Sequence, residues 1–236
     1  MHKKILAITI PLIISNVSVP LLGLINIGLM GNLGSFHYLA AIGIGVMIFN
    51  VLFSTLYFLR MGTTGFTAHA FGKNDFSLLL EVLLRAITVS IALGILLILL
   101  LPIILWVGLH VIHTSVDIHR YVAQYVRMRI FCAPATLLNF AVIGFFIGVQ
   151  KARLALFAAL FSNVIAIISG IILVRGLHFA IIGVVLSDIM SQYSAALLGL
   201  FFCWTYFRKV DGLTFSWKSM CSIISLKRYF YGPVEI

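Results

Sequence analysis

The chain has 236 residues, 62% of them hydrophobic and only 9% charged, where a soluble domain carries about a quarter charged residues. That composition excludes a water-soluble globular domain. It also decides how to read the formal net charge of +10, which marks Lys and Arg anchors on the cytoplasmic side of a bacterial-type inner (plasma) membrane and not a nucleic-acid surface.

The apolar residues fall in continuous runs long enough for a helix to cross a hydrocarbon core of about 30 Å. Dyad alternation of the barrel kind is absent. The expected fold class is therefore all-α, a polytopic membrane protein with six transmembrane helices over residues 1–206 and a basic tail, interfacial or cytoplasmic, over 207–236. The first span covers residues 5–30. It opens on MHKKILAITIPLII, which starts like a signal peptide, but no A-x-A-like cleavage site follows and the apolar run continues. Pro11 and Pro20 lie inside this span, where each removes a helical hydrogen bond and bends the chain. Asn26 sits between glycines in its second half.

The second span, 38–71, carries Arg60 and a Gly-Thr-Thr-Gly run and ends at the polar loop GKNDFS. The third, 83–109, is almost purely aliphatic and reads as lipid-facing scaffold. After a loop holding His110, His113 and His119 comes the fourth span, 121–149, with Arg127 and Arg129 early and Pro134 near the middle. The fifth covers 154–174 and the sixth 180–206. With the N-terminus cytoplasmic, eleven loop cations fall inside (Lys3, Lys4, Lys73, Arg85, Lys151, Arg153, Arg208, Lys209, Lys218, Lys227 and Arg228) and two outside (Arg120 and Arg175). That asymmetry places both termini in the cytoplasm.

Ionisable groups inside a span are costly and therefore informative. Asp188 is the acid found within a predicted span, and two readings stay open for it: a cavity-lining site residue, or a partner for a span 4 arginine. Arg127 and Arg129 point to different faces, and Arg127 is the one expected to snorkel to the headgroups. The amides Asn16, Asn26, Asn50, Asn139, Asn163, Gln150 and Gln192 are cheaper to bury and serve commonly as interhelical glue. The glycine run GFFIG, Gly144 to Gly148, suits close helix packing. No catalytic motif, phosphate-binding loop or metal-ligand pattern stands out, so an enzyme is not expected, nor a metal site or cofactor. Cys132, Cys203 and Cys221 are scattered among apolar neighbours and read as small buried hydrophobes.

Three stretches together resemble one family. SNVSVPLLGLINIGLMGNLGS (Ser15 to Ser35), FLRMGTTGFTAHAFGKND (Phe58 to Asp75) and RIFCAPATLLNFAVIGFFIGVQKAR (Arg129 to Arg153) are similar to the first, second and fourth spans of multidrug and toxic compound extrusion (MATE) transporters of the DinF-like branch. The resemblance implies one lobe of a two-lobed secondary antiporter that exports organic or xenobiotic compounds in exchange for protons or sodium ions. It implies the lipid bilayer and a small organic substrate as partners, and a second lobe supplied by another copy or by a separate C-terminal lobe. Lobes of six spans are parallel repeats about an axis along the membrane normal.

By the same resemblance, Asn26, Asn163, Asp188 and Gln192 are candidates for substrate or ion binding, and Pro20, Arg60, Arg129 and Pro134 for structural or gating roles. The chain departs from the branch at several of its polar positions. Asn26 stands where an aspartate is usual, Ala166 and Gly170 where an Asn and an Asp are, and Gln192 where a glutamate is. Asp188 stands where a small residue is usual. These departures imply an alternative, a truncated or degenerate membrane protein without transport or a half-transporter needing its second lobe.

Overall fold

The computed structural model describes residues 36–111, 116–177 and 179–208. The first span, with Pro20 and Asn26, lies outside the described residues, as does most of the tail. The described chain is a bundle of helices: α1 (Phe36–Thr55), α2 (Phe58–Gly72), α3 (Phe76–Leu99), α4 (Leu101–Val111), α5 (Val116–Arg129), α6 (Ala133–Gly148), α7 (Ala152–Ile171) and α8 (Ala180–Phe207). A 3-10 turn, Ile130–Cys132, joins α5 to α6, and a π-helical turn, Ile172–Gly176, closes α7. No strand occurs among the described residues. Five of these segments are long and apolar enough to cross a membrane: His37–Gly72, Phe76–Leu99, Ile118–Gly148, Ala152–Gly176 and Ile181–Phe207.

Each break in the bundle has a local cause. Span 2 divides between α1 and α2 without a proline, because the hydroxyls of Ser54 and Thr55 both donate to the carbonyl of Val51, at 2.9 and 3.0 Å. Such back-bonding bends helices. Span 4 divides at Pro134, which has no N–H for Ile130 O; the Ala133 N–H takes that carbonyl in a 3-10 bond. The third segment starts at Phe76, ahead of the Leu83 expected from hydropathy, since the Asp75 carboxylate accepts from Leu78 N at 2.9 Å and caps α3. It then breaks at Leu100, two residues before Pro102. Arg85, expected in a loop, is consequently buried on α3 and paired with Glu81 one turn earlier.

The central element is α6, which packs against α2, α3, α7 and α8. Its glycines set the spacing. A Cβ on Gly144 would lie 2.7 Å from Arg60 O, and one on Gly148 would lie 2.6 Å from Thr67 Cβ. The GFFIG run therefore seats directly on Thr63 of the Gly-Thr-Thr-Gly segment and on Thr67 one turn beyond it, as small-xxx-small contacts do in membranes. Gly94 of α3 meets Pro134, and Gly199 of α8 meets Val142.

These contacts also fix direction. Residues of α2, α6 and α8 meet in ascending order, Thr63 with Gly144 and Thr67 with Gly148 on one side of α6, Asn139 with Gln192 and Phe146 with Phe202 on the other. Spans 2, 4 and 6 thus run parallel, with α3 and α7 returning between them.

Candidate functional site

The polar residues of spans 4 and 6 converge around the Pro134 kink. On α8, Asp188 and Gln192 are one turn apart and share a face, and both α5 and α6 pack against α8. Arg129, the last residue of α5, places Nη1 3.0 Å from Asp188 Oδ2. The contact is a close charge pair without an aligned hydrogen bond: among the described residues no donor points at Oδ2. Arg129 makes three further contacts, to two residues. It donates to the hydroxyl of Tyr125, and its guanidinium stands 5.4 Å from the Tyr125 ring centre and 5.5 Å from that of Phe49. Tyr125 is wholly buried and fills the space left by Gly45, where a Cβ would stand 2.2 Å from the ring.

Two more bonds tie the same elements. Tyr193 Oη donates to the carbonyl of Phe131 at 3.1 Å, inside the 3-10 turn that Pro134 leaves short of donors. Asn139 Nδ2 donates to both the backbone carbonyl and Oε1 of Gln192, at 3.0 and 2.9 Å. Spans 4 and 6 are therefore joined by a charge pair, a hydroxyl–carbonyl bond and a bidentate amide contact within a few residues. Between α7 and α8 the seam is small and weakly polar: Ser162 Oγ lies 3.5 Å from Ser191 O, and Ala166, Ser169, Gly170 and Ser187 are buried nearby on the two helices.

The sequence candidates divide accordingly. Asp188, Gln192, Arg129 and Pro134 come together. Asn163 is partly exposed on α7, while Asp188 and Gln192 turn towards span 4. Arg60 lies apart, with its guanidinium 5.2 Å from the Tyr57 ring centre. Arg127 is exposed. Asn139, expected as interhelical glue, makes that contact; Phe49, Tyr125 and Tyr193 join the site without a sequence signal that sets them apart. Among the described residues no group of three or more His, Cys, Asp or Glu could hold a metal ion.

The arrangement bears on known proteins as follows. A family model described as MatE matches residues 11–172. The chain is 33% identical over 198 residues to DNA damage-inducible protein F of Escherichia coli K12, across 84% of this chain and 43% of that relative. It is 26% identical over 217 residues to the multidrug export protein MepA of Staphylococcus haemolyticus, across 92% of this chain and 47% of that one. Among solved structures, a MOP superfamily transporter from Pyrococcus furiosus superposes with TM-score 0.83 at 20% identity, over 97% of this chain and half of that one. An outward-facing multidrug resistance MATE family transporter gives 0.82 at 20% identity, with the same coverage. The chain thus spans about half the length of the curated relatives it matches.

Proposed function

The chain belongs to the MatE family, and from that premise we propose that it is one six-span lobe of a secondary antiporter exporting organic, xenobiotic compounds in exchange for protons or sodium ions. The observation that carries this reading is the family match across residues 11–172, supported by relatives named for multidrug export. In this reading the lobe lies in a bacterial inner membrane with both termini cytoplasmic. With Arg85 buried on α3 and left out, ten Lys and Arg remain in the loops, the tails and the helix ends on that side against two on the other, Arg120 and Arg175. Asp188 and Gln192, with Asn26 and Asn163, supply the polar positions for substrate or ion, and Asp188 is the acid among the four.

The test is exchange in sealed vesicles. With the protein reconstituted in proteoliposomes, an imposed proton or sodium gradient drives ethidium across the bilayer, and Asp188→Asn lowers that exchange at least about tenfold, the scale of a lost coupling charge. Wild-type rates from the Asn variant would remove Asp188 from the mechanism.

A second reading is favoured by the residues themselves: a folded lobe that does not transport alone, either degenerate or a subunit that needs a second lobe. Asn26, Ala166 and Gly170 replace polar family positions, and Asp188 is already held by Arg129. Folded wild-type protein without measurable exchange would establish this reading over the first. Crosslinking in membranes then separates a homodimer from a complex with a separate C-terminal lobe.

A further inference from the structure

We propose that the end of the bundle carrying Lys73, Lys151, Arg153 and Arg208 binds the phosphate of an anionic bilayer phospholipid, with Lys151 and Arg208 as its principal ligands. Because spans 2, 4 and 6 run parallel, the last residues of α2, α6 and α8 emerge together, and with them all four cations. Each is exposed, and none has a carboxylate within ion-pair distance among the described residues. The one exposed acid at this end, Asp75, is occupied as the cap of α3. In sequence, Lys209 follows directly, and Lys218, Lys227 and Arg228 lie further along the tail. The opposite end has Arg120 and Arg175.

The two principal cations are held in place. Lys151 follows Gln150, whose φ of 59° closes a tight turn in which Lys151 N–H reaches back to Phe146 O at 2.8 Å. The Lys151 ammonium stands 4.3 Å from the centre of the Tyr206 ring, and the Arg208 guanidinium 5.3 Å from that of Trp204. Cations seated on ring faces keep N–H donors free for an anion. Trp204 and Tyr206 are also the residue types of the membrane–water interface, so the cations stand at headgroup level.

The surface beneath selects a lipid over a free anion. Phe157, Leu160, Leu197, Phe201 and Trp204 are exposed on α7 and α8, and tilted ring contacts of Phe157 with Phe202 and of Phe201 with Trp204 place aromatic surface along the same edge. A phospholipid meets both the cations and this apolar strip, whereas inorganic phosphate meets the cations only. Basic clusters at the membrane face attract anionic headgroups in this way.

The experiment uses the full chain purified in detergent, with retained lipid read by native mass spectrometry and stability by thermal midpoint. Phosphatidylglycerol is expected to be retained and to raise the midpoint, while phosphatidylcholine and inorganic phosphate leave it unchanged. The double variant K151Q/R208Q lowers phosphatidylglycerol retention about tenfold, the charge-keeping K151R/R208K does not, and R120Q/R175Q at the other end retains it normally. Should K151Q/R208Q fail to fold, Arg153→Glu takes its place, since Arg153 makes no hydrogen bond, ion pair or ring contact to another described residue. Equal retention of phosphatidylcholine, equal stabilisation by inorganic phosphate, or undiminished phosphatidylglycerol binding by K151Q/R208Q (or by Arg153→Glu in its place) would each overturn the proposal.

Discussion

Removing either member of the Arg129–Asp188 pair should cost stability, but unequally, because the two residues have different reserves. In Arg129→Met the Asp188 carboxylate is left buried, and no described donor is aligned on its Oδ2. Breaking a buried pair this way costs about 3–5 kcal/mol. The Arg129 side chain keeps 21% of its exposure and that of Asp188 10%, so the pair is not fully buried and the lower figure, about 3 kcal/mol, applies. In Asp188→Leu the guanidinium still has the Tyr125 hydroxyl and the faces of Phe49 and Tyr125. Its loss should be about 1.5 kcal/mol, one charge-assisted contact gone with others kept.

The double variant R129M/D188L buries no charge and fills similar volume with apolar atoms. Its loss should also be about 1.5 kcal/mol, giving a coupling of about 3 kcal/mol against the sum of the singles. The assay is reversible unfolding in mixed micelles titrated with sodium dodecyl sulfate, followed by tryptophan fluorescence on all four proteins. Additive losses would show that the two side chains do not interact. A more damaging Asp188→Leu than Arg129→Met would show that Arg129, and not Asp188, depends on the pair.

Two further substitutions test the packing. Gly148→Ala puts a Cβ 2.6 Å from Thr67 Cβ and 2.9 Å from Thr64 O; a Cβ and a backbone carbonyl are both fixed to their helix, so relief needs the helices to part and a loss of about 2 kcal/mol is expected by the same unfolding assay, whereas Gly65→Ala, with nothing within 4 Å, should cost nothing measurable. Gln150→Gly should raise stability by about 1 kcal/mol, since Gln150 holds a φ of 59° that side chains other than glycine adopt at a cost of that size; an unchanged or lowered midpoint would mean that the Gln150 side chain contributes contacts offsetting the strain.

The span-scale architecture was legible because it depends on quantities a sequence carries openly: the length of apolar runs, the placement of loop cations, the prolines. Asp188, Arg129 and Gln192 were legible as well, since polar groups are conspicuous in so apolar a chain. Their partners were harder to read, and the reason is geometric. Arg129 and Asn139 are ten residues apart, about 15 Å along a straight helix, while their partners Asp188 and Gln192 are four apart, about 6 Å. Two straight parallel helices would match one pair and miss the other. The break at Ile130–Cys132 and the reach of the arginine side chain reconcile them, and neither the bend angle nor the side-chain direction follows from periodicity. Span 2 shows the same gap in a milder form, because Ser54 and Thr55 are common in helices and only their shared capture of the Val51 carbonyl makes them a break.

The same geometry bears on the two functional readings. A carboxylate that receives a proton or a sodium ion must give up at least part of its arginine contact, and the cost depends on where the arginine can go. Arg129 already touches the Tyr125 hydroxyl and two aromatic faces, so a released guanidinium stays among partners. Asp188 has no such reserve on Oδ2. An incoming cation would therefore meet a carboxylate lacking an aligned hydrogen bond on one oxygen, while the group it displaces remains satisfied. In the transport reading, that asymmetry would let Asp188 act as a strut when unloaded and as a site when loaded, with Arg129 as the group released.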